Sequence, residues 1–147
     1  MVNLANEDTA NMLKECNAGV KMGVDSIADV LGDVNDTKLK EILTNNKEEH
    51  QKIGSELHEI LNKMDLAGKE PNKMAKTMSW LKTNIMMTAM GDDSTVADLI
   101  TDGCNMGVKS LSRYLNQYKE AEPFAKDLTR RLIDLEHQLT IDVRPYL

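Results

Sequence analysis

Imidazoles, thiols and carboxylates are the side chains that could do chemistry in this chain, and several of them recur in a pattern. Glu49-His50-Gln51 returns as Glu136-His137-Gln138 at an offset of 87 residues. Cys16-Asn17-Ala18-Gly19-Val20-Lys21 returns as Cys104-Asn105-Met106-Gly107-Val108-Lys109, five identities in six at an offset of 88. An acid beside an imidazole is a donor set that transition metals accept. The two copies differ in setting, because His50 shares an apolar seam with Asn46 whereas His137 falls opposite the Leu128-Leu132-Leu135-Leu139 stripe. The plainer reading of His50 and Asn46 is a buried polar pair satisfied by hydrogen bonds. Asp25, Asp29, Asp98 and Asp102 read as solvated faces, and no Ser/His/Asp, Cys/His or phosphate-loop arrangement is discernible.

The elements that must position these groups are helical. Apolar residues recur by threes and fours through Leu13, Cys16, Val20, Val24, Ile27 and Leu31, predicting a first helix that starts near residues 6 to 8 and stops at Gly32. A second stripe runs from Leu39 through Ile42, Leu43, Asn46, His50, Ile53, Leu57, Ile60 and Leu61 to Met64. Asp92, Asp93 and Ser94 offer caps for a third helix carrying Val96, Ile100, Cys104, Val108, Leu111, Leu115 and Tyr118. Pro123 opens a fourth, with Leu128, Leu132, Leu135, Leu139 and Val143 as its stripe and Pro145 as its stop. Short connections near 32 to 36 and 119 to 123 make two antiparallel hairpins. Between Leu66 and Gly91 a shorter pattern, from Met74 through Met78, Leu81 and Ile85 to Met90, predicts a crossover helix. About 18 residues at ~1.5 Å each span ~27 Å, enough for the second and third helices to run parallel. The expected organisation is one domain over 1–147, with hairpin 6–66, crossover 67–91 and hairpin 92–145. Gly19 with Gly23, and Gly103 with Gly107, place small residues one turn apart, which suits close helix packing or, less simply, a ligand cleft.

Composition excludes several classes of function. With 24 acidic against 18 basic residues the formal charge is -6, and the densest basic cluster is Arg130-Arg131, so a phosphate backbone is not the expected partner. No apolar run approaches ~18 residues and the acidic start lacks the order of a signal peptide, so the chain reads as cytoplasmic with no membrane partner. Cys16 and Cys104 are far apart within helical patterns and read as buried free thiols.

Two related hairpins with a long crossover resemble the ferritin-like superfamily over essentially the whole chain. More narrowly, Trp80-Leu81-Lys82, Gly91-Asp92-Asp93, and Cys104 with Gly107 before Tyr114 resemble a bacterial family of uncharacterised ferritin-like proteins of about this length. The resemblance implies an all-α, ferritin-like four-helix bundle of two repeated hairpins with a helical crossover. It also implies where a metal would sit. In metal-using members two helices each give a Glu and the other two a Glu-x-x-His. This chain departs from that pattern, with Lys47 three residues before His50 and Ser55 three before His58. Only Asp134-Leu135-Glu136-His137 keeps a carboxylate at that spacing. If a metal-dependent oxidoreductase or iron-handling role survives, its residues are Glu49, His50, Asp134, Glu136 and His137.

The leading expectation is a non-enzymatic bundle, with no catalytic residue, metal or other cofactor, acting by self-association or partner binding. Ile85, Met86, Met87 and Met90 cover more of a helix circumference than one seam can bury, which marks them as a homodimer or partner interface.

Overall fold

The protein's structure, a computed structural model, describes residues 6–65 and 92–147. Among them are four long helices: α1 (Glu7–Leu31), α2 (Thr37–Lys63), α3 (Asp93–Gln117) and α4 (Pro123–Asp142), followed by a 3-10 turn at Arg144–Tyr146. The described residues contain no strand. The predicted crossover helix at 67–91, and with it Ile85, Met86, Met87 and Met90, lies outside the described residues.

Local chemistry sets the helix starts. The side chains of Asn6, Asp36 and Asp92 accept hydrogen bonds from the backbone N–H groups of Thr9, Leu39 and Thr95, each three residues on, so donors that a first turn leaves unpaired are satisfied. α4 has no side-chain cap and begins instead with Pro123, which has no N–H to satisfy. Its regular turns stop at Asp142, earlier than Pro145 alone suggests, and Pro145 sits inside the 3-10 turn that follows.

Two clasps then fasten the hairpins to each other. At one end the Asp93 carboxylate accepts the backbone N–H groups of Asn35 and Asp36, at 2.7 and 3.0 Å, tying the α1–α2 connection to the start of α3. At the other end Asp8 accepts the N–H of Glu120 at 2.9 Å, Thr9 Oγ1 accepts that of Glu122 at 2.8 Å, and the Asn6 amide donates to Glu120 O at 2.6 Å. Each clasp gives buried or turn backbone groups the partners they need. Together they make α1 antiparallel to α3 and α2 parallel to it. Asp65 and Asp92 therefore lie at opposite ends of a bundle about as long as α2, roughly 40 Å at 1.5 Å per residue.

The core divides in two along that length. Met12, Leu13, Leu57, Leu61, Leu111, Leu128 and Leu132 belong to one apolar cluster, near the start of α1. Ile27, Val30, Leu39, Leu43, Ile100, Leu139 and Val143 belong to the other. His50 lies between Leu43 and Ile53 on α2, and Glu136 between Leu132 and Leu139 on α4, so both fall where the clusters meet.

Candidate functional site

His50 is buried because the threes-and-fours spacing of Leu43, Asn46, His50, Ile53 and Leu57 lays all five on the inner face of α2. The same spacing through Leu128, Thr129, Leu132, Glu136 and Leu139 buries Glu136 on α4. Leu135, assigned to this seam from the sequence, is only half-buried, and its carbonyl oxygen accepts the Asn46 amide at 3.2 Å. His50 is 1% exposed and Glu136 4%.

Two glycines seat the pair. A Cβ at Gly23 would lie 2.6 Å from His50 Nε2, and one at Gly107 would lie 2.9 Å from the Glu136 carboxyl carbon, with Oε1 closer still. The glycines on α1 and α3 thus hold a ring and a carboxyl where any side chain of their own would collide.

His50 Nδ1 lies 3.1 Å from the backbone oxygen of Asn46, one turn earlier. A carbonyl only accepts, so Nδ1 is the donor, which fixes that tautomer and leaves Nε2 facing α4. Nε2 stands 3.7 Å from Glu136 Oε2, beyond hydrogen-bond length, and makes no hydrogen bond to the described residues. Burial pushes the Glu136 carboxyl above its ordinary range, a rise that nearby His50 opposes without cancelling. At 3.7 Å that opposition is electrostatic in kind. Beside the pair is a cavity of about 30 Å³ whose walls include Met22, Gly23, Ser26, Cys104, His50 and Glu136.

The other residues singled out in the sequence lie elsewhere. Glu49 is exposed and paired with Lys52 at 2.8 Å, and Asp134 and His137 are exposed on α4. Glu49 and Asp134 line a groove on the outside of α2 and α4, where Glu56 and Arg131 form a two-point ion pair at 3.0 and 2.6 Å. Asp29, Asp98 and Asp102 are exposed and Asp25 is half-buried. Both cysteines are buried free thiols. Burial pushes Cys16 up to about 12 despite its 3.0 Å contact with Thr129 Oγ1, and it pushes Cys104 well above its ordinary value. Neither forms a thiolate nucleophile near neutral pH.

Glu15 is a buried acid that the apolar stripe, traced through Leu13 and Cys16, passes over. It is 3% exposed on α1. It stands near the stacked rings of Tyr114 and Tyr118, 5.9 Å apart. Burial, with Glu15's charge adding to it, pushes Tyr114 up to about 12 and Tyr118 in the same direction. Met12, Glu15, Gly19, Met22 and Ser26 form a second run of threes and fours, the signal by which it could have been found.

A ferritin-like bundle raises the question of a di-metal centre, and these residues do not fit one. Such a centre needs bridging carboxylates with imidazoles from facing helices. Among the described residues, His50 and Glu136 are the imidazole and carboxyl that converge. Glu15 precedes Gly23, the seat of His50, by eight residues, roughly 12 Å of helix at 1.5 Å each. Among the described residues no three or more His, Cys, Asp or Glu side chains are grouped to hold a metal ion.

Comparison with protein-family models gives no match, and comparison with curated proteins gives none. Among solved structures, the chain is similar to Dps92 from Deinococcus radiodurans, a ferritin-like protein, with a TM-score of 0.69 over 96% of this chain and 86% of that one. Sequence identity is 14%, so the likeness concerns the fold. None of the described helices is long and apolar enough to cross a membrane. Four long helices in two clasped hairpins, with this neighbour, give the chain the all-α, ferritin-like four-helix fold.

Proposed function

We propose that this chain is a non-enzymatic ferritin-like bundle, one domain long, that acts in the cytoplasm by self-association or by binding a protein partner. The observation that carries this reading is the content of the bundle's centre. One imidazole and one carboxyl sit there on glycine seats, with Glu49, Asp134 and His137 on the outside. Two adjacent cations need several carboxylates to offset their charge, and a carboxyl that burial drives toward its neutral acid form is a poor start. The Trp80-Leu81-Lys82 and Gly91-Asp92-Asp93 segments support a place in the bacterial ferritin-like family they resemble. The apolar cluster Ile85, Met86, Met87 and Met90 is the contact surface in this reading, with a homodimer as the assembly. The charge of -6 argues against a nucleic-acid partner.

The competing reading, a metal-dependent oxidoreductase or iron-handling protein, is favoured by the meeting of His50 and Glu136 from two helices. Metal analysis of protein purified without tags or chelators separates the two. The proposal expects less than stoichiometric iron or manganese, together with a dimer by light scattering that Met87→Lys dissociates. Stoichiometric metal lost in His50→Ala would establish the competitor, and a monomer at high concentration would remove self-association.

A further inference from the structure

We infer that the cavity at the centre of the bundle is a binding site for one small non-polar molecule, of the size of dioxygen or a single noble-gas atom. Its described walls come mainly from α1 and α3, with His50 of α2 and Glu136 and Leu139 of α4 beside them. Met22, Ile27, Leu99, Ile100 and Leu139 line it, and the surface they leave is almost wholly apolar. Ser26, His50 and Glu136 border it too, yet their polar atoms add almost nothing to that surface. Cys104 also lines the cavity, and burial keeps its thiol protonated, so it packs there as a small hydrophobe.

Such walls select by what they do not offer. A water molecule entering this space gives up its bonds to other waters and gains almost no partner in return, which is unfavourable. A non-polar molecule loses nothing of that kind. It also restores contacts, because atoms that line a void lack dispersion partners on one side.

Size sets the upper limit. The cavity measures about 30 Å³. An apolar cavity of roughly 150 Å³ takes benzene or xenon, and a space of about a fifth of that leaves no room for a ring but accepts a diatomic molecule or one noble-gas atom. Gly23 and Gly103 stand on the walls with no side chains of their own to fill it. At Gly23 a Cβ would lie 2.6 Å from the His50 ring, so that position cannot grow without displacing the imidazole. The seat that holds His50 therefore helps to keep the cavity open. The inference does not depend on the contact surface proposed above.

The test uses the full chain. A crystal pressurised with xenon should show one xenon peak among Met22, Ile100 and Leu139, and an unpressurised crystal no water peak at that position. In solution under dioxygen pressure, the methyl protons of Ile27, Ile100 and Leu139 should show a relaxation enhancement several times that of Leu57 and Leu61, which are buried in the other apolar cluster. Cys104→Leu should fill the space and abolish both the xenon peak and the excess enhancement. Should that variant fail to fold, Cys104→Val, a smaller step, should still lower the xenon occupancy. A water peak in the cavity, no xenon there, an enhancement no larger than at Leu57 and Leu61, or binding undiminished in a folded filling variant would each overturn the inference.

Discussion

The same three residues, Glu-His-Gln, stand on α2 at 49–51 and on α4 at 136–138, and the bundle treats them in opposite ways. On α2 the histidine faces inward and the acid faces water. On α4 the acid faces inward and the histidine faces water. One residue of offset along a helix is about 100° of rotation, so a small difference in phase between the two copies decides which member is buried. The consequence is complementarity. Copies in equal phase would bury two imidazoles or two carboxyls against each other, with like groups competing for one low-dielectric space. Out of phase, they bury an imidazole opposite an acid, and the seats at Gly23 and Gly107 accommodate one each.

If that phase difference matters, the inward and outward copies should respond very differently to the same change. Replacing His50 or Glu136 singly by Met leaves the other polar group facing apolar surface and should destabilise by about 1–3 kcal/mol, while replacing both should restore most of that loss. The outward residues Glu49 and His137 should shift stability by no more than about 0.5 kcal/mol when changed to Met. Urea unfolding of the six proteins, parent included, checks the contrast. Equal effects at the inner and outer positions would erase it.

The glycine seats sharpen the point. Alanine usually stabilises a helix relative to glycine by roughly 0.5–1 kcal/mol. At positions 23 and 107 the new Cβ must displace a buried ring or carboxyl, so Gly23→Ala and Gly107→Ala should instead lose about 1–3 kcal/mol. Gly32 is the control. Nothing lies within 4 Å of a Cβ built there and its φ is -66°, so Gly32→Ala should be neutral or slightly stabilising. Thermal unfolding that ranks Gly32→Ala below the other two would break the assignment of seats.

The acid of the pair also sets a pH signature. Below its ordinary value of 4.5 Glu136 holds its proton in both the folded and the unfolded chain. Above that, the unfolded chain releases the proton while the folded chain keeps it, so the folded state binds more protons and stability falls as pH rises, until the folded carboxyl ionises. The stability of Glu136→Gln relative to the parent should therefore move in the variant's favour as pH climbs from about 4.5. The reverse trend in urea midpoints would mean a charged, well-paired carboxylate at this position.

The smallest effect belongs to the outer surface between the same two helices. Arg131 and Glu56 join α4 to α2 through two hydrogen bonds, and the Arg131 guanidinium holds the Glu56 carboxyl below its ordinary range. Both side chains are about half exposed, so water and salt screen the pair. Glu56→Ala should cost about 0.5 kcal/mol, less in high salt, as a double-mutant cycle with Arg131→Ala would show.

Much of this architecture was determined by the sequence alone, because helix starts, stops and inner faces depend on neighbours within a turn or two. Asn6, Asp36, Asp92 and Pro123 mark their helices wherever those helices lie, and the stripe through Leu39, Leu43, Asn46, His50 and Ile53 had one possible inner face. The four-helix class followed from counting such stripes. On α4 the local signal was divided, since Leu135 and Glu136 both continue the spacing from Leu132, and hydrophobicity favours the leucine. Only the assembled bundle decided for Glu136. Gly107 on α3 leaves room for a carboxyl there, His50 on α2 offers it a partner, and the Leu135 carbonyl is turned to receive the Asn46 amide. Glu15 illustrates the same division. A buried acid is costly from its own helix alone, and in the assembled bundle Glu15 stands near Tyr114 of α3. Periodicity is a property of one helix. The partner that makes a buried polar group tolerable belongs to another, brought near by a chain tens of residues away.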